Sequence, residues 1–135
     1  MKKMDDFSHC LDILNGADFA LADNDEIYRT GIIWQFIKTF NLAWKALQEL
    51  LIMHGVTEAE TGTPLEILKL GYRMGFISDY EVWHLILGKV NDSVHLCNKD
   101  ESDELIRLIR ERFIPVFTEL EKMLNDKMSE VKGLK

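Results

Sequence analysis

The stretch "DNDEIYRTGIIWQFIKTFNLAWKALQELLIMHG", residues 23–55, decides how this chain folds. Ile33, Phe36, Ile37, Phe40, Ala43, Trp44, Leu47, Leu50 and Leu51 recur at three- and four-residue intervals, which puts them on one side of an α-helix. Asp23 or Asp25 can cap its start, acids favour the positive end of its dipole, and Gly55 suits a left-handed C-terminal stop. The apolar surface is larger than one core needs. Ile32, Trp34 and Leu42 lie partly off the stripe, and Tyr28 and Gly31 extend the excess toward the N-terminal end. A helix apolar on two sides is either central in a bundle or buried twice, once inside the protomer and once against a partner. Twofold homodimerisation is the economical expectation, with Ile32, Trp34, Phe36, Ile37 and Trp44 at the interface. The alternative is that the first and last helices cover both sides within one chain.

Outward from this helix the same period recurs. Phe7, Cys10, Leu11, Leu14, Ala17 and Leu21 predict a first helix over Phe7 to Leu21. "TPLE", Thr63 to Glu66, is a capping box with Pro at the first helical position, opening a third helix that runs to Gly75. "SDYE", Ser78 to Glu81, repeats that logic and opens a fourth through "VWHLILGKVNDSVHL". A fifth starts near Ser102 and carries Leu105, Leu108, Ile109, Phe113, Val116, Leu120 and Leu124 at helical spacing. Pro115 inside it lacks an N–H and crowds the preceding turn, so a kink or break is expected just before it. The expected fold is all-α: one domain over residues 1–135, an up-and-down bundle of four to five helices.

Composition narrows the function classes. The chain has 135 residues, 47% hydrophobic, enough for a sizeable core, and only 2 Pro and 8 Gly. A formal net charge of −7 argues against a general nucleic-acid binder, which needs a basic face for phosphates. No apolar run reaches transmembrane length, and "MKKMDDFSHC" lacks the apolar region of a signal peptide, so no membrane association and a cytoplasmic location are expected. The 2 cysteines, Cys10 and Cys97, are too few for a disulfide scaffold. His9 with Cys10, and His95 with Cys97, point to different sides of a helix and have no third and fourth ligand, so no metal is expected. "NKDESDE" lacks the Gly and terminal Glu of a calcium loop and reads as a solvated, capping-rich turn. No Gly-rich phosphate loop, Ser–His–Asp spacing or strand-borne carboxylate pair is present, and no cofactor is expected.

"RTGIIWQFIKTFNLAWKAL", then "TPLEILKLGYRMGFISDYEVWHLIL", then the Asn and His of "VNDSVH" follow one another in an order that resembles the nucleotidyltransferase substrate-binding protein family, a branch of the HEPN superfamily of helical bundles. The resemblance runs from about Phe19 to Leu124. It is most specific at Phe40, Leu42, Ala43, Trp44 and Lys45, and next at Gly75 to Trp83. It implies a dimeric bundle paired with a small nucleotidyltransferase encoded nearby, which holds the nucleotide, metal and catalytic carboxylates. The bundle binds or presents a substrate, a nucleotide or RNA, with Lys45, Lys89, Asn91 and His95 as the candidate contacts. Related pairs act as toxin and antitoxin, the bundle being an RNase.

Against that RNase pattern, Asn91 and His95 match, but Val90 stands where the resemblance expects Arg. Lys89 offers one flexible charge in place of a bidentate fork. The Tyr that some relatives carry two after the His is Cys97, and Asn41 replaces an acid on the long helix, beside Trp34, Gln35 and Ile37. RNA cleavage needs both a cation for the phosphate and an imidazole for proton transfer, and His95 supplies half. Lys89, Asn91 and His95 therefore read as a remnant rather than a catalytic set, with Val90 at the mouth of a shared cleft and His95 accessible. The expected role is a non-catalytic subunit. The alternative is a degenerate, metal-independent RNase toxin.

Overall fold

Asp25 opens the longest helix: its carboxylate accepts from the Tyr28 amide at 3.0 Å, satisfying a donor the helix leaves free. The computed structural model describes residues 2–93 and 98–133. They form α1 (Lys2–Asn15), a single turn α2 (Phe19–Ala22), α3 (Glu26–Met53), a 3-10 turn (Thr57–Thr61), α4 (Pro64–Arg73), α5 (Tyr80–Asp92), α6 (Lys99–Leu108), a π-helical turn (Ile109–Phe113) and α7 (Ile114–Gly133). No strand occurs among the described residues. The chain is an all-α bundle, as its periodicity predicts.

Helix α3 is the spine. The Cys10 carbonyl accepts from Gln35 Nε2 and Thr39 Oγ1 at 3.1 and 3.4 Å, while Leu14 shares a cavity with Tyr28 and Ile32, so α1 runs antiparallel to α3. His54 packs on Phe76 and Phe40 on Trp83, so α5 also descends along α3. Phe36 stacks on Phe113 at 5.5 Å and packs on Phe117, and Phe117 meets Phe7 and Trp83. These rings join α1, α3, α5 and α7 into one core. Removing one fully buried ring from it costs about 3–5 kcal/mol. Gly71 lets α4 approach α3: a Cβ there would stand 2.7 Å from Leu47 Cδ2.

Several boundaries differ from the sequence expectation; α1 already begins at Lys2, before Phe7, and α5 ends at Asp92. The predicted Phe7–Leu21 helix stops at Asn15, and Asp18 caps a separate turn, leaving Leu21 exposed. Asp79, not Ser78, caps α5, because its carboxylate reaches the Val82 amide at 3.2 Å. Asn98, not a residue near Ser102, caps α6: its Oδ1 accepts from the Glu101 amide at 2.8 Å and its Nδ2 donates to Glu101 Oε1. The capping-rich turn expected of "NKDESDE" is the N-cap and opening turns of α6. Before Pro115 the expected irregularity is the π-helical turn, where the Ile114 amide donates to the Ile109 carbonyl. Pro115 removes one donor and crowds the preceding turn, and the wider turn accommodates it.

The interface set divides. Ile32 and Phe36 lie in the protomer's own core, at 4% and 0% exposure, because they face the inner side of α3. They are corrected out of any partner-facing surface. Ile37 and Trp44 are half-buried against that core, and Trp34 is 61% exposed.

Candidate functional site

Helix α5 ends where the sequence places its polar cluster. Lys89 and Val90 are half-buried, Asn91 and Asp92 exposed, and Ser93 Oγ closes the end on the Val90 carbonyl at 2.7 Å. His95 and Cys97 lie outside the described residues. Val90 packs its side chain against the core rather than standing free at a cleft mouth. Lys89 is within electrostatic reach of Glu104 on α6, whose carboxyl is held below the usual carboxylate range chiefly by its hydrogen bond to Arg107. Arg107 grips Glu104 at 2.6 and 3.1 Å and Glu111 at 2.7 Å, which raises its own pKa further. Any anion drawn to Lys89 competes with that neighbouring acid.

The other candidate cation lies elsewhere. Lys45 Nζ sits 5.9 Å from the Trp44 ring centroid, a cation–π contact between two half-buried side chains of α3. Phe40 marks the level of Trp83, near the start of α5, so antiparallel packing puts Lys89 roughly 15 Å along the axis from Lys45. The structure does not bring Lys45 and Lys89 together. The Trp44 indole N–H is buried and has no acceptor among the described residues.

The N-terminal half of α3 carries a second feature. Ile27 and Trp34, seven residues apart, present 86% and 61% of their surface on one outward stripe. Gly31 lies between them, and nothing stands within 4 Å of the Cβ it lacks. Beside it, Ile13, Ala17, Tyr28 and Gly31 border a cavity of about 200 Å³, flanked by exposed Ile13.

A third feature escaped the sequence reading. Tyr72, in the last turn of α4, lies 5.7 Å from Tyr80, the first residue of α5, and Tyr80 lies 6.1 Å from His84 one turn on. Gly75, at φ 79°, permits the reversal that brings the two helix ends together. Tyr72 is 53% exposed, His84 exposed and Tyr80 half-buried, so the row of rings lies on the surface. Leu65, Lys69, Tyr80, Glu81 and His84 line an open depression of about 400 Å³ beside it. The Tyr80–His84 spacing of four was the available signal. Tyr72 could not be placed with them until the turn was known.

Among the described residues no group of His, Cys, Asp and Glu is placed to hold a metal ion, and no helix is long and apolar enough to cross a membrane. Compared with known proteins, residues 3–126 match the family model described as nucleotidyltransferase substrate binding protein like. A comparison with curated proteins gives no match.

Proposed function

We propose that this chain, which belongs to the family of nucleotidyltransferase substrate binding protein-like proteins, serves as the non-catalytic, substrate-binding subunit of a two-component nucleotidyltransferase. The observation that carries this reading is the match itself, which spans nearly the whole chain. In this division of labour a separate small transferase, encoded nearby, supplies the nucleotide site, the metal and its carboxylates, since phosphoryl chemistry depends on positioning and charge neutralisation. The bundle supplies the partner surface and holds the substrate.

The subunit acts as a homodimer. Ile27 and Trp34 form an apolar stripe beside a groove floored by Gly31, so a second copy can seat its Trp34 against the first copy's Gly31 and Ala17 while receiving the reciprocal contact. Exposed rings and aliphatic side chains of this size are costly to leave in water. Val90, packed on the core, and Lys89, beside Glu104, weigh against the RNase alternative, since neither offers the free phosphate clamp that chemistry needs.

Co-expression with the transferase of the neighbouring reading frame tests the subunit reading. A stable complex is expected on size exclusion, with nucleotide transfer by the pair and none by the bundle alone. Failure of the two to co-purify would remove this reading.

A further inference from the structure

We propose that Tyr72, Tyr80 and His84 form a stacking platform for a nucleobase, with Lys69 and Arg73 receiving the phosphate attached to it. The inference rests on the substrate-binding reading above and names the substrate class: a nucleotide, free or as the unpaired end of an RNA.

Tyr72 and His84 stand outside the core, and Tyr80 packs on its rim with part of its ring in solvent. The rings of the core are Phe7, Phe36, Phe40, Trp83, Phe113 and Phe117, all buried. Tyr72, Tyr80 and His84 instead continue one another across the α4–α5 turn, with centroid spacings of 5.7 and 6.1 Å, at the surface. A nucleobase is flat, polarisable and apolar on both faces, so an exposed aromatic row offers it a sequence-tolerant stacking surface. Lys69 lines the adjoining depression, and Arg73 follows it by four residues on the same side of α4. Two cations one helical turn apart suit a phosphate. Glu81 lines the same depression and can accept from an exocyclic amine of the base. At about 400 Å³ the depression falls within the size range of small-ligand sites.

The test titrates the full chain with AMP, a short oligoadenylate, ribose 5-phosphate and inorganic phosphate, following the ring protons of His84 and the tyrosines by NMR. AMP and the oligonucleotide should shift these resonances in a saturable way, and ribose 5-phosphate should bind much more weakly. Tyr72→Ala and His84→Ala, both at exposed positions, should each weaken base-bearing ligands about 5- to 100-fold with an unchanged circular dichroism spectrum. Tyr80→Phe should retain binding that Tyr80→Ala loses. Lys69→Ala should weaken all phosphate-bearing probes and flatten the salt dependence. Equal affinity for AMP and the oligonucleotide marks a mononucleotide site, whereas tighter, salt-sensitive oligonucleotide binding marks an RNA end. No ring shift at millimolar AMP and oligonucleotide overturns the platform, as does ribose 5-phosphate binding as well as AMP. Loss of transferase co-purification in Tyr72→Ala, with nucleotide binding unchanged, also overturns it and assigns the face to the protein partner. A wild-type complex that forms without base binding sinks this inference while leaving the subunit reading intact.

Discussion

Replacing Trp34 with Glu should convert the protein from dimer to monomer without unfolding it. A tryptophan side chain carries roughly 150–250 Å² of surface, of which 61% is exposed here, so about 120 Å² is available for burial by a second copy. At about 25 cal/mol per Å² that burial is worth about 3 kcal/mol. A twofold axis uses each tryptophan once per protomer, so the variant loses about 6 kcal/mol per dimer, or roughly ten-thousandfold in Kd. The introduced carboxylate also meets its own copy or an apolar groove, which adds to the loss. The protomer itself should be little affected, because Trp34 faces away from the rings that Phe36 joins. Sedimentation velocity at micromolar concentration reads the association, and a thermal melt by circular dichroism reads the fold. A wild-type chain that sediments as a monomer, or a Trp34→Glu variant that stays dimeric, would refute the reasoning.

Two further outcomes follow from side chains already placed. Val90→Arg should cost about 1–2 kcal/mol, lowering the melting temperature by several degrees, because a half-buried aliphatic against the core is replaced by a charge that must reach past it to water. In a metal-free RNA assay run on the same samples the wild type should be inactive; robust wild-type cleavage abolished by His95→Ala would decide for the ribonuclease. Gly71→Ala should lower stability by about 1 kcal/mol, because overpacking against fully buried Leu47 exceeds the gain in helix propensity. A raised melting temperature in that variant would show that Leu47 can yield and that the α3–α4 approach is not tight.

The fold was legible because hydrophobic period is a local property. Leu47, Leu50 and Leu51 on α3 and Phe117, Leu120 and Leu124 on α7 carry their inward direction in their spacing. Helix starts were less legible, since several polar residues can compete for one cap. Asp79 wins over Ser78 and Asn98 over Ser102 only through which side chain reaches a free amide. The exposed apolar residues of α3 were half legible. Period alone showed that α3 is too apolar, but which apolar residues α1 and α7 would cover depends on packing, and Ile32 was covered while Trp34 was not. Of the aromatic row only the Tyr80–His84 spacing was legible, because Tyr72 and Tyr80 meet only through a glycine turn whose geometry sequence spacing does not encode.

The π-helical turn at Ile109–Phe113 works as a phase corrector. Each residue of an α-helix advances about 100° around the axis, so one extra residue in a turn rotates everything after it by that amount. The buried apolar residues of α6, Leu105, Ile106 and Leu108, and those of α7, Phe117, Leu120 and Leu124, would point in directions differing by well over half a right angle on an unbroken α-helix. The wide turn takes up that difference, so both halves face the same core along one continuous rod. The two ends of the rod are thereby indexed independently. Around α6 the rotation sets how Glu104 faces Lys89 at the end of α5, and around α7 it sets how Phe117 meets Phe36 and Trp83. A residue inserted or deleted in this turn would re-aim one end against the other, as moving a single tooth shifts the timing between two gears on one shaft.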